Sequence, residues 1–130
     1  QGIRAGHDWG RLIDPEPFPA WLTPADLDYY VGEFRQSGLR GPINRYRNHE
    51  RDFDYLQGFK DRKIEQPAFF ISGTRDLAFN MLGGADPIEI MRRFVPNLQG
   101  AHVLEGCGHW TQQERPDEVN ALLLPWLKAL

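Results

Sequence analysis

Residues 67–76 read "PAFFISGTRD", and the fold turns on whether the apolar run at their centre is a strand. A short apolar run closed by a glycine is what a buried parallel strand requires, because both of its faces meet other layers. Downstream, "DPIEIMRRFVP" (86–96) carries apolar residues at helical spacing, and "AHVLEG" (101–106) is a second short apolar run ending in glycine. Beyond it, Pro116, Asp117 and Glu118 suit the first turn of a helix. Val119, Leu122, Leu123, Trp126, Leu127 and Leu130 then fall on one helical face, with Pro125 expected to kink the helix or shift its register. Strand, helix, strand, helix predicts an α/β architecture with a parallel sheet, whose ligand sites lie beyond the carboxyl ends of the strands.

Two residues fall at those ends. Asp76 follows the first strand and His109 follows the second, in "EGCGHW". Parallel neighbouring strands bring both side chains to one sheet edge, where a carboxylate on one ring nitrogen fixes the histidine tautomer and leaves the other nitrogen to take a proton. Taken singly, Asp76 also suits an ordinary turn, and His109 a loop.

Composition narrows the function classes. A chain of 130 residues with 41% hydrophobic residues and a formal net charge of −3 fits one soluble globular domain and speaks against nucleic acid as partner. No apolar run reaches the roughly 18 residues of a membrane span, and no basic start leads into an apolar stretch, so the expected location is the cytoplasm. Cys107 is the single cysteine. It has no partner for a disulfide and no zinc-ligand pattern around it, and it reads more readily as a small loop residue than as a nucleophile.

Toward the amino end, "LTPADLDYYVGEFRQSG" (22–38) predicts an amphipathic helix capped by Thr23, with Pro24 and Asp26 near its start. Leu27, Tyr30, Val31 and Phe34 form its apolar face, and Gly38 ends it. "LRGPINRYRNHERDFDYLQGF" (39–59) has a Gly-Pro break at Gly41 and Pro42, with helix expected to resume beyond. Pro15, Pro17 and Pro19 make residues 11–20 an extended joint. Before it stands "AGHDWG" (5–10), where Asp8 between Gly6 and Gly10 has the spacing of a nucleophile elbow. Asp is also a common turn residue. The chain order decides in favour of chemistry, because Asp8, Asp76 and His109 succeed one another as nucleophile, acid and base do in an α/β-hydrolase triad.

Together "AGHDWG", "GLRGPINRYRN", "FFISGTRDLAF" and "GCGHWTQQERPDEVN" resemble the soluble epoxide hydrolases of the α/β-hydrolase fold. The resemblance implies a partial α/β-hydrolase fold, the last two strands and helices of the sheet with part of a helical cap. Residues 1–10 are then an elbow remnant, 11–20 a joint, 21–62 a partial cap and 63–130 the carboxyl-terminal part of the core. It also implies that Asp8 attacks an epoxide carbon, Tyr46 protonates the oxygen, and His109, held by Asp76, activates the water that cleaves the ester. The Trp9 amide would serve the oxyanion hole. The substrates are an epoxide and water, with no cofactor and no metal.

In the family the elbow follows a complete strand and opens a helix, whereas here five residues precede Gly6 and Arg11 to Pro19 is unsuited to a helix. The first cap tyrosine and the histidine-glycine loop of the oxyanion hole have no counterpart. The expectation is a chain lacking the family's amino-terminal half and an internal block, with weak turnover and self-association through exposed sheet edges. A haloalkane dehalogenase, which also uses an aspartyl ester, and a non-catalytic fragment are the alternatives.

Overall fold

The computed structural model describes residues 15–81 and 85–130, so that Asp8, Trp9 and the rest of the "AGHDWG" turn lie outside the described residues. Helix α1 spans Pro24–Ser37. Its start is a reciprocal cap: the Asp26 amide donates to Thr23 Oγ1 at 3.2 Å and the Thr23 amide donates to Asp26 Oδ2 at 2.9 Å. That arrangement satisfies two of the donors that a helix start leaves without partners. The helix ends at Gly38, whose amide donates to Phe34 O. Leu27, Tyr30, Val31 and Phe34 hold the predicted helical spacing, yet α1 buries none of its residues.

Helix α2, Arg40–Arg47, corrects the expected Gly-Pro break. Gly41 and Pro42 sit inside its first turn, where amides have no intrahelical acceptor, so the proline sacrifices no hydrogen bond. The chain divides into two compact units between Asn44 and Arg45, within α2 and within the 21–62 stretch. In the second unit, helix α3, His49–Leu56, runs into a 3-10 turn over Gln57–Phe59, where the Arg62 guanidinium lies 4.8 Å from the centre of the Phe59 ring.

Strand β1, Ala68–Gly73, and strand β2, Leu98–Leu104, pair in parallel, as the two apolar runs predict. Two short helices connect them: α4, Leu77–Asn80, and α5, Pro87–Phe94, the latter capped by Asp86 with Pro87 in its first turn. Strand β2 starts three residues before the predicted run. Gln99 and Gly100 interrupt the apolar pattern there for packing reasons: Gln99 Oε1 accepts from Trp126 Nε1 at 2.6 Å, and the Phe69 ring covers Gly100 so closely that a Cβ would lie 2.3 Å from it. The register ends flush, with Gly73 opposite Leu104.

After β2 come helix α6, Thr111–Glu114, and helix α7, Pro116–Lys128. Helix α7 continues through Pro125, which lacks the amide that would otherwise bond the Ala121 carbonyl. Its predicted face divides by depth. Val119 is buried, Leu122, Leu123 and Trp126 are half-buried, and Leu127 and Leu130 are exposed. Leu104, Cys107 and Val119 form the core, with Ile71 and Leu122 packed against them. That core lies beneath the carboxyl end of the sheet, where the two candidate residues emerge.

Candidate active site

Asp76 leaves β1 by a tight turn in which its amide donates to Gly73 O at 3.1 Å, and it caps α4 by accepting the Ala78 amide on Oδ1 at 2.8 Å. Asn80 secures the turn, its side-chain amide donating to Thr74 O and to Asp76 O. His109 arrives from the other strand through "EGCGHW". Gly106, at φ +69°, turns that loop with a backbone conformation that glycine adopts without strain. Hydrogen bonds stitch the loops together, among them the Arg75 amide donating to Cys107 O at 2.9 Å and the Gly106 amide donating to Thr74 Oγ1 at 2.9 Å.

At the junction His109 Nδ1 meets Asp76 Oδ1 at 3.0 Å. The Asp76 side chain is 12% exposed and that of His109 62%. Burial pushes the Asp76 carboxyl up, but hydrogen bonds from His109 and the Ala78 amide outweigh it and hold the pKa below the ordinary carboxylate value. An ionised carboxylate only accepts, so Nδ1 carries the hydrogen and Nε2 of the neutral ring is left with its lone pair. In that form the pair has the geometry to serve as an oriented base.

The lowered pKa sets the sign of a pH effect. The unfolded carboxyl titrates near about 3.9, so the stabilisation is fully present above that value and is lost as pH falls through the lower folded value. Carbon-detected NMR titration is expected to give Asp76 a midpoint below the ordinary range, moved upward in His109→Ala.

Tyr46 stands apart from this pair. It lies on α2 with 72% exposure, its ring 5.9 Å from that of His49, and among the described residues no hydrogen bond or ring contact links it to Asp76 or His109. Trp110 stands edge-on to His109 at 5.4 Å. Cys107 has 0% exposure, and burial followed by the Glu114 charge pushes its thiol pKa up, which makes it a packing residue and removes it as a nucleophile. Sequence reasoning passed over Ser72, which donates to Asp76 Oδ2 at 3.4 Å, and Glu114, which accepts from the Gly108 and Trp110 amides. None of these bonds leaves a trace in hydrophobic periodicity.

A base held by an acid at two adjacent strand ends is common to many hydrolases, and relatives narrow the choice. Epoxide hydrolase B of Mycobacterium tuberculosis (strain ATCC 25618 / H37Rv) is 43% identical over 136 residues, covering 98% of this chain and 38% of that protein. The chain is a homologue of the epoxide hydrolases. Bifunctional epoxide hydrolase 2 of Rattus norvegicus is 39% identical over 106 residues, covering 82% of this chain and 18% of that protein. Among solved structures, potato (Solanum tuberosum) epoxide hydrolase I superposes with a TM-score of 0.89 at 27% identity, over 98% of this chain and 41% of that one. No protein-family model matches the chain. The described residues thus form part of an α/β-hydrolase fold, and the chain spans less than half the length of these epoxide hydrolases. Among the described residues no helix is long and apolar enough to cross a membrane.

Proposed function

We propose that the chain acts in epoxide hydrolysis, with Asp76 and His109 as the acid-base pair, Asp8 as nucleophile and Tyr46 as proton donor. The observation that supports this most directly is the 3.0 Å contact of His109 Nδ1 with Asp76 in a chain 43% identical to an epoxide hydrolase. In this reading an Asp8 oxygen bonds to an epoxide carbon while the ring C–O bond breaks and Tyr46 gives its proton to the departing oxygen. His109 Nε2 then takes a proton from water, and the hydroxide adds to the ester carbonyl, whose oxyanion the Trp9 amide stabilises. Collapse of that adduct releases a vicinal diol and restores the Asp8 carboxylate, and the imidazolium proton returns to the tyrosinate. Asp8, Trp9 and Tyr46 enter on the sequence pattern, Asp76 and His109 on pattern and geometry together.

Chemistry suits each assignment. Aspartate is ionised at neutral pH and needs no base for the first step, and tyrosine stays protonated and able to donate. Residues 21–62 are then cap and 63–130 core, with 1–10 an elbow remnant joined through 11–20. The buried thiol of Cys107 suits a reducing compartment, the cytoplasm. Uncovered sheet edges give such a chain a route to self-association.

Diol formation from a styrene-type epoxide, followed by chromatography, tests the reading. Tyr46→Phe is expected to lower it by about 10²-fold or more, the usual worth of a positioned proton donor. Haloalkane turnover that survives Tyr46→Phe, in a chain inert toward epoxides, points instead to the dehalogenase chemistry, where a halide leaves without a proton.

A further inference from the structure

Glu114 is half-buried at the end of α6, and both of its carboxylate oxygens are engaged by backbone. Oε2 accepts from the Gly108 amide at 2.7 Å and Oε1 from the Trp110 amide at 3.0 Å. Those two amides flank His109 on either side. The Glu114 and Gln113 amides in turn donate to Trp110 O, at 2.9 and 2.8 Å, so side chain and backbone of α6 grip the loop together. Gly108 is shaped for this contact, since a Cβ there would lie 2.8 Å from Glu114 Oε1.

We propose that Glu114 is a positioning residue for His109: by holding the amides of its two chain neighbours, Gly108 and Trp110, the carboxylate aims the imidazole so that Nδ1 stays on Asp76. Charge-assisted bonds from amides to a carboxylate are short and strong, and a pair of them on one residue sets direction as well as distance. His109 needs such help because its ring is largely exposed, and among the described residues it meets Asp76 and, in a T-shaped contact, Trp110. The orientation of the ring does not depend on any substrate. Its catalytic consequence rests on the epoxide reading above.

The test reads the ring directly. In the full chain labelled with nitrogen-15, long-range proton-nitrogen correlations at alkaline pH distinguish the two neutral tautomers, with His109→Gln assigning the signal among the four histidines. The wild-type ring is expected in the Nδ1–H form. In Glu114→Gln, equal in size but able to accept only on one atom, that form is expected to fall from dominant to minor in favour of Nε2–H, the preferred form of a ring without a fixed partner. Gly108→Ala leaves the carboxylate in place but crowds it, and is expected to shift the tautomer the same way. It decides the matter if Glu114→Gln fails to fold. A role confined to stability would lower the melting temperature of either variant and leave the folded chain's tautomer unchanged, which overturns the proposal, as does a wild-type ring in the Nε2–H form. Epoxide hydrolysis by a chain whose tautomer ignores Glu114 defeats the positioning role alone. A tautomer governed by Glu114 in a chain inert toward epoxides defeats the functional reading alone.

Discussion

Replacing Gly73 with alanine is expected to cost about 3 kcal/mol of unfolding free energy, at the upper end of what overpacking a close contact does. Gly73 closes β1 where the His109 loop crosses it. A Cβ there would meet Cys107 O at 2.1 Å, Cys107 C at 2.4 Å and Gly108 O at 2.5 Å. These are backbone atoms, so no rotamer change relieves the clash, and the two loops must separate. Separation strains or breaks the Arg75 to Cys107 hydrogen bond, whose loss contributes about 1 kcal/mol of the total. It also stretches the 3.0 Å contact of His109 with Asp76 toward a length at which it no longer counts as a hydrogen bond. Urea denaturation gives the comparison, with Gly58→Ala in the same unit as control. Gly58 has open space at its Cβ position, and alanine there is expected to be neutral or to stabilise by up to about 1 kcal/mol by restricting the unfolded chain. Equal midpoints for the Gly73 and Gly58 variants would show that the loops do not meet as described.

Asp76 and His109 were legible in the sequence because strand ends are punctuated by glycines, and parallel pairing forces residues just past those glycines to one edge. Apolar runs closed by glycine located both strands, and apolar residues at helical spacing located the helix over 86–96. The cap of α1 was legible too, since a capping threonine and a first-turn proline and acid are local signals. What periodicity could not supply was any feature made by side chains bonding to backbone. Thr74 lies in the turn after β1, and Asn80 and Glu114 end the four-residue helices α4 and α6. The bonds by which Thr74 ties the two turns, Asn80 holds the Asp76 turn and Glu114 holds the His109 loop depend on geometry that exists only after folding. Strand β2 was read short for a related reason: Gln99 belongs in the strand because Trp126, on α7, reaches back to it. The helix over Arg40–Arg47 was obscured by a proline that breaks helices in their interior but is tolerated in a first turn.

His109→Gln is expected to turn a transient intermediate into a stable one. In the proposed reaction, ester formation on Asp8 requires an ionised carboxylate and a proton donor but no base, so removing the imidazole leaves that step in place. Ester hydrolysis does require the base, and losing a positioned one slows such a step by about 10²–10⁴-fold. Glutamine keeps the side chain's bulk and can still donate to Asp76, so the junction of the two loops is preserved while the lone pair at the Nε2 position is not. Intact-mass spectrometry of the folded chain, sampled after addition of a styrene-type epoxide, should show a hydroxyalkyl adduct that decays in the wild type and accumulates in His109→Gln. Peptide mapping should place it on Asp8, and Asp8→Asn should abolish it. Because the measurement counts single chemical events, it works even where turnover is weak. An adduct mapped to another carboxylate would move the nucleophile out of "AGHDWG" and keep His109 as the base. No adduct in any folded variant would leave the Asp76–His109 pair as an oriented base without a nucleophile in this chain, and would sink the epoxide reading of these 130 residues.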